Sequence, residues 1–84
     1  MDLVERATRV TSREDLVEFL QALAVDCQTS AATWENSSLE SFLDAMARWA
    51  HDMDGYYANR GERIEDVPPW RVMTDLLMAA RIYE

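Results

Sequence analysis

Three features of this chain have residue types and spacing that could do chemistry. The first is His51-Asp52, the side-by-side pair that holds a metal in phosphohydrolases of the His-Asp kind. Such a site needs further imidazole ligands, and His51 is the one histidine among 84 residues. The pair is therefore expected at the surface rather than on a metal. The second is Asp52-Met53-Asp54-Gly55, which has the look of part of a calcium loop. Aligning Gly55 with the loop's turn glycine places Asp52 and Asp54 at two ligand positions. It also places Ala50 at the first ligand and Gly61 where the bidentate glutamate belongs. Those two ends supply most of the charge, so this is no EF-hand, and at most a weak cation site remains. The third is Cys27. It stands alone, which excludes an internal disulfide and a thiolate metal cluster. Without a paired base it is expected to behave as a small buried hydrophobe. No phosphate-binding glycine loop, dinucleotide fingerprint or serine elbow is present. Sixteen carboxylates leave an acid–base pair open, but nothing singles one out. The expectation is a chain with no cofactor, no metal and no catalytic residue.

The aromatics offer a different chemistry, that of recognition. Trp34, Trp49, Trp70, Tyr56, Tyr57 and Tyr83 flank the ends of the helical stripes or edge them. The plainer role is to close the ends of the core, burying rings while N–H and O–H groups find partners. The sharper role is a contact surface, since Trp, Tyr and Arg are enriched at binding hot spots. Trp34, Asp52, Asp54, Tyr56 and Tyr57 are the residues such a surface would use.

The elements that must position these residues are helical. Ser12, or Thr11 with Glu14 as a capping box, opens a stripe of Leu16, Phe19, Leu20, Leu23 and Cys27 at the spacing of one helical face. Asn36, or Ser37 with Glu40, opens a second stripe of Leu39, Phe42, Leu43, Met46, Ala50 and Met53, with Trp49 on its edge. Asp54-Gly55 is expected to stop that helix, with Gly55 as the left-handed C-cap residue. Residues 54–67 then read as a loop. Pro68-Pro69 starts a third helix, whose broad face holds Trp70, Met73, Leu76, Leu77, Ala80 and Tyr83. Met78 and Ile82 form a second apolar strip on that helix. Either the first ten residues cover the strip, or a second molecule does and Met78 and Ile82 are a dimer face. The first is preferred, because a small monomer rarely exposes a large apolar patch. Leu3, Ala7 and Val10 are spaced for a short N-terminal helix. The spacing thus predicts one all-α domain over 1–84, a compact three-helix bundle with helices at about 12–28, 37–53 and 69–83.

Composition bounds the partners. Half of the chain is hydrophobic (49%) with two Gly and two Pro, which suits a folded helical domain and not a turn-rich β protein. Eight arginines and no lysine face sixteen acidic residues, a net charge of −8. That balance argues against direct binding to nucleic-acid phosphates and to anionic membrane surfaces. It permits a basic protein partner. No apolar run approaches a membrane span and the start lacks a signal-peptide pattern; a reducing cytoplasm is the expected home.

Trp34-Glu35-Asn36, Trp49 with Asp52 and Asp54-Gly55-Tyr56-Tyr57, Pro69-Trp70, Leu77 with Ala79-Ala80, and Tyr83-Glu84 together resemble a family of small bacterial proteins known only as a domain of unknown function. The resemblance covers residues 10–84. It implies a bacterial, cytoplasmic, stand-alone domain, and it implies no reaction and no site residue. The leading functional expectation is a non-enzymatic interaction module that binds a basic partner, as immunity proteins and antitoxins do. The alternatives are a self-associating structural domain, and an enzyme or weak metal-binding domain using carboxylates near Asp52 and Asp54. A monomer and a homodimer are both open.

Overall fold

A computed structural model describes residues 2–84 and contains four helices and, among the described residues, no strand. Helix α1 spans Leu3–Thr8, α2 Arg13–Thr29, α3 Leu39–Asn59 and α4 Pro69–Ala80. Short 3-10 turns at Ala31–Thr33 and Ile64–Asp66 break the two longer connections. The fold is flattened, with extents of 35 × 28 × 17 Å. Helix α3 packs along α4, and α1 packs on both α2 and α4. Helix α2 lies close to α1 and to the turn at Ala31–Thr33, but its backbone does not run close along α3 or α4. Long side chains bridge that gap.

Capping explains the helix starts. Asp2 accepts from the Glu5 N–H at 2.8 Å and opens α1. Ser12 accepts from the Asp15 N–H, while the Asp15 carboxylate reaches back to the N–H and hydroxyl of Thr11. The box is therefore Ser12 with Asp15, not Thr11 with Glu14. Ser38 caps α3, one residue past the predicted Ser37 and two past Asn36, and accepts from the Ser41 N–H. Pro69 opens α4, where its missing N–H has no helical partner to lose.

The largest correction concerns Gly55. It does not stop α3; the helix runs on to Asn59. Among the described residues only Gly61 has a positive φ, 74°, and it makes the turn that Gly55 was expected to make. The physical reason is tertiary. A mid-helix glycine costs roughly 1 kcal/mol, whereas carrying the helix through it places Tyr57 in the core with no exposure at all. Burying one large aromatic returns more than the glycine costs. The predicted loop over 54–67 shrinks accordingly to the segment after Asn59, part of which is the turn Ile64–Asp66.

Because α3 is longer, its buried face is also rotated from the predicted stripe. Ala45, Trp49 and Tyr57 are its buried residues, so Trp49 is central rather than on the edge. Leu39, Leu43 and Ala50 face outward, Leu39 with 74% of its surface exposed. On α4 the buried residues are Thr74 and Ala80, while Trp70 and Met73 turn outward and the helix ends at Ala80 rather than 83. Two clusters form the core. One gathers Val10, Phe19, Leu23 and Trp34, with Leu3, Ala7, Leu77 and Met78 packed on it. The other gathers Trp49, Tyr57 and Val67 under Leu76, Ala79 and Tyr83. The N-terminal residues thus cover the Met78 side of α4.

Candidate functional site

The extension of α3 creates a polar corner where it turns into α4. The Tyr57 hydroxyl donates to Asp75 at 2.8 Å. Arg71 grips Glu62 with both terminal nitrogens and lies 3.4 Å from Asp75 through Nε. Arg60 adds a third bond to Glu62 at 3.1 Å. The guanidiniums also sit over rings, Arg71 over Tyr57 at 5.6 Å and Arg60 over Tyr56 at 5.5 Å. The hydrogen bond from Arg71 holds Glu62 down to about 2. Burial, helped by the bond to Asp75, pushes the Tyr57 phenol well above its ordinary value. Two arginines and two carboxylates cancel here, so the corner is a clamp on the turn rather than a reactive centre.

Beside the corner lies a cleft of about 710 Å³ between α1 and the start of α4. Val4, Ala7, Met78, Tyr56 and Trp70 supply apolar walls, and Arg60, Arg71 and Asp75 the polar ones. At the other edge of α3, Asp52 accepts hydrogen bonds from Tyr83 and from His51. The Tyr83 bond, then the His51 bond, lowers the Asp52 carboxyl below its ordinary value. The same contact raises the Tyr83 phenol. This cluster is a surface tie between α3 and the C-terminal residues. Among the described residues no three His, Cys, Asp or Glu side chains converge as a metal site requires.

A second groove, about 390 Å³, opens where α2 stands off from α3. Leu20, Ala24 and Cys27 form one wall, Leu39 and Phe42 the other, and Leu77 of α4 lies between them. Among the described residues no charged side chain lines it. Trp34 closes one end, stacked on Phe42 at 5.7 Å, with its Nε1 donating to Asp26 at 2.8 Å. Arg81 covers the Trp34 ring and pairs with Asp26 at 3.8 Å.

The five residues expected to form one contact surface are dispersed. Tyr57 is fully buried and Trp34 nearly so, which removes both from any surface. A helix advances about 100° per residue, so on the continuous α3 Asp52 and Asp54 point to opposite sides. Asp52 is tied to Tyr83, Asp54 lies on the outer face, and Tyr56 alone reaches the cleft, against Trp49 and Tyr57. Met78 is half-buried under α1, while Ile82 remains 52% exposed.

A family model, described as a family of unknown function (DUF7660), matches residues 12–84. The chain belongs to this family. The match takes in α2, α3 and α4 and leaves α1 outside it. No curated protein and no solved structure matches the chain.

Several structurally important residues were missed by sequence reasoning. Asn36 is not a helix cap. Its backbone N–H donates to the Arg81 carbonyl, and its side-chain amide donates to the Ala80 and Tyr83 carbonyls. It satisfies the free carbonyls at the end of α4 from across the molecule, and no periodic signal marks such a bond. Glu62 with Arg71 is equally invisible, because it bridges a turn. Arg71 with Asp75, at i and i+4, was the one part of the corner a helical reading could have found.

Proposed function

We propose that this chain is a non-enzymatic interaction module that binds a basic protein partner. The observation that supports it is the asymmetry of unpaired charge. Five arginines, Arg48, Arg60, Arg63, Arg71 and Arg81, are paired with carboxylates within the fold. That leaves three arginines against eleven carboxylates. Arg6 lies in α1, Arg9 just past its end and Arg13 at the start of α2. On the outer face of α3, among the described residues, Arg48 pairs with Asp44, and Glu40 and Asp54 are exposed without an arginine partner. A field of one sign accelerates the approach of an oppositely charged partner more than it tightens the final complex.

The analogy with immunity proteins and antitoxins rests on size and charge, and a bacterial, cytoplasmic setting belongs to the same reading. The test is the triple variant Glu40→Arg, Asp44→Arg and Asp54→Arg. Its association rate with a partner purified from the native host should fall about tenfold or more at low ionic strength, with dissociation little changed. An association rate that is unchanged and insensitive to salt would sink the proposal.

A further inference from the structure

Of the concave surfaces among the described residues, the cleft beside α1 and the groove between α2 and α3 have the most apolar walls, and charge decides between these two. The cleft beside α1 is walled by the paired groups of the polar corner, Arg60, Arg71 and Asp75, and so offers a cationic segment no carboxylate that is not already bound to an arginine or a tyrosine. The groove between α2 and α3 presents no charge on its walls. Its α3 rim continues into Glu40, exposed one residue beyond Leu39, and into Asp44, which shares its charge with Arg48. Both walls also turn apolar surface toward open space. Leu39 on the α3 wall is 74% exposed and Leu20 on the α2 wall 42%. The α2 backbone does not close onto α3, so these leucines have no intramolecular partner helix.

We propose that the α2–α3 groove is a docking site for an amphipathic helix of the partner, its leucine-type stripe against Leu20, Leu39 and Leu77 and its basic face toward Glu40. This rests on the basic-partner reading above and adds the surface and the shape of the segment. A helix laid in a groove anchors through apolar residues at i, i+3, i+4 and i+7, and the neutral walls with an acidic rim select basic flanks. A second copy of the chain is the wrong occupant, since each carries a net charge of −8.

Cys27 supplies an internal reporter, being the one thiol and part of the groove wall. The probe is a synthetic helix with a leucine stripe and lysines on its other faces. The controls are the same stripe with glutamates, and a scrambled lysine peptide that forms no stripe. The lysine helix should slow the reaction of Cys27 with Ellman's reagent and shift the amide resonances of Leu20, Ala24 and Leu39. The glutamate and scrambled peptides should do neither. Leu39→Asp, an exposed substitution in the first turn of α3, should weaken the lysine helix about tenfold, the loss expected of a central apolar anchor. Leu20→Asp, exposed on the opposite wall, gives a second reading should the first variant alter the helix start. Resonance shifts confined to the α1 cleft, or equal binding of the glutamate helix, would overturn the groove assignment. So would a Cys27 that is protected without peptide in a self-associated protein. Lysine peptide bound to the outer face of α3 with Cys27 still reactive would overturn the groove and leave the basic-partner reading standing. No binding by any basic peptide would overturn both.

Discussion

Replacing each glycine by alanine tests the course of α3 directly, because the two glycines make opposite predictions. Gly55 lies inside α3, is exposed, and a Cβ built on it meets nothing within 4 Å. Alanine there removes backbone freedom from the unfolded chain and improves helix propensity, which should stabilise the protein by about 0.5–1 kcal/mol. Gly61 also has open space around it, but its φ is +74°. Alanine at that position should cost about 1 kcal/mol or somewhat more. For a domain of this size about 1 kcal/mol moves the melting temperature by roughly 4–8 °C. Thermal melts followed by circular dichroism should therefore separate the two variants in opposite directions, Gly55→Ala upward and Gly61→Ala downward. Urea titrations should give the same signs with an unchanged slope. If Gly55 instead ended the helix in a left-handed conformation, Gly55→Ala would be the damaging substitution. A drop in stability for Gly55→Ala would thus refute the continuous helix, and with it the placement of Tyr57 and the separation of Asp52 from Asp54.

Two further outcomes follow from the polar contacts. Asn36→Ala removes two donors from the carbonyls at the end of α4; a loss of about 1–2 kcal/mol is expected, measurable by urea denaturation, and a loss within error would mean that water satisfies those carbonyls equally well. Glu62 is held at about 2 in the fold against an ordinary value of 4.5. A depressed carboxyl stabilises the fold above its unfolded value, and that contribution is lost as pH falls from about 4.5 toward 2. Glu62→Gln should flatten the stability profile in that window while leaving it parallel to the parent at neutral pH, and an unaltered acid limb would show that Arg71 does not hold Glu62 in solution.

The sequence by itself determined that the chain is helical, where its helices begin to within a residue or two, and that it belongs to a family of unknown function. These depend on local physics: capping by Ser12 and Ser38, proline in the first turn of α4, and apolar residues at helical spacing. The rotation of each helix was less legible. A stripe such as Leu39, Phe42, Leu43 and Met46 defines a face about 100° wide or more, and which flank of it is buried depends on the neighbour. The sequence placed Leu39 and Leu43 in the core; only the packing of α4 against Trp49 and Tyr57 turned them outward. The tertiary structure likewise decided that α3 continues through Gly55, because the burial of Tyr57 outweighs a local propensity. It also brought together groups far apart in the chain, Asn36 with the end of α4 and Glu62 with Arg71, whose bonds leave no periodic trace. The candidate site belongs to this second class. A groove exists where two helices fail to meet, and that gap is a property of the packed elements and of no single stretch of sequence.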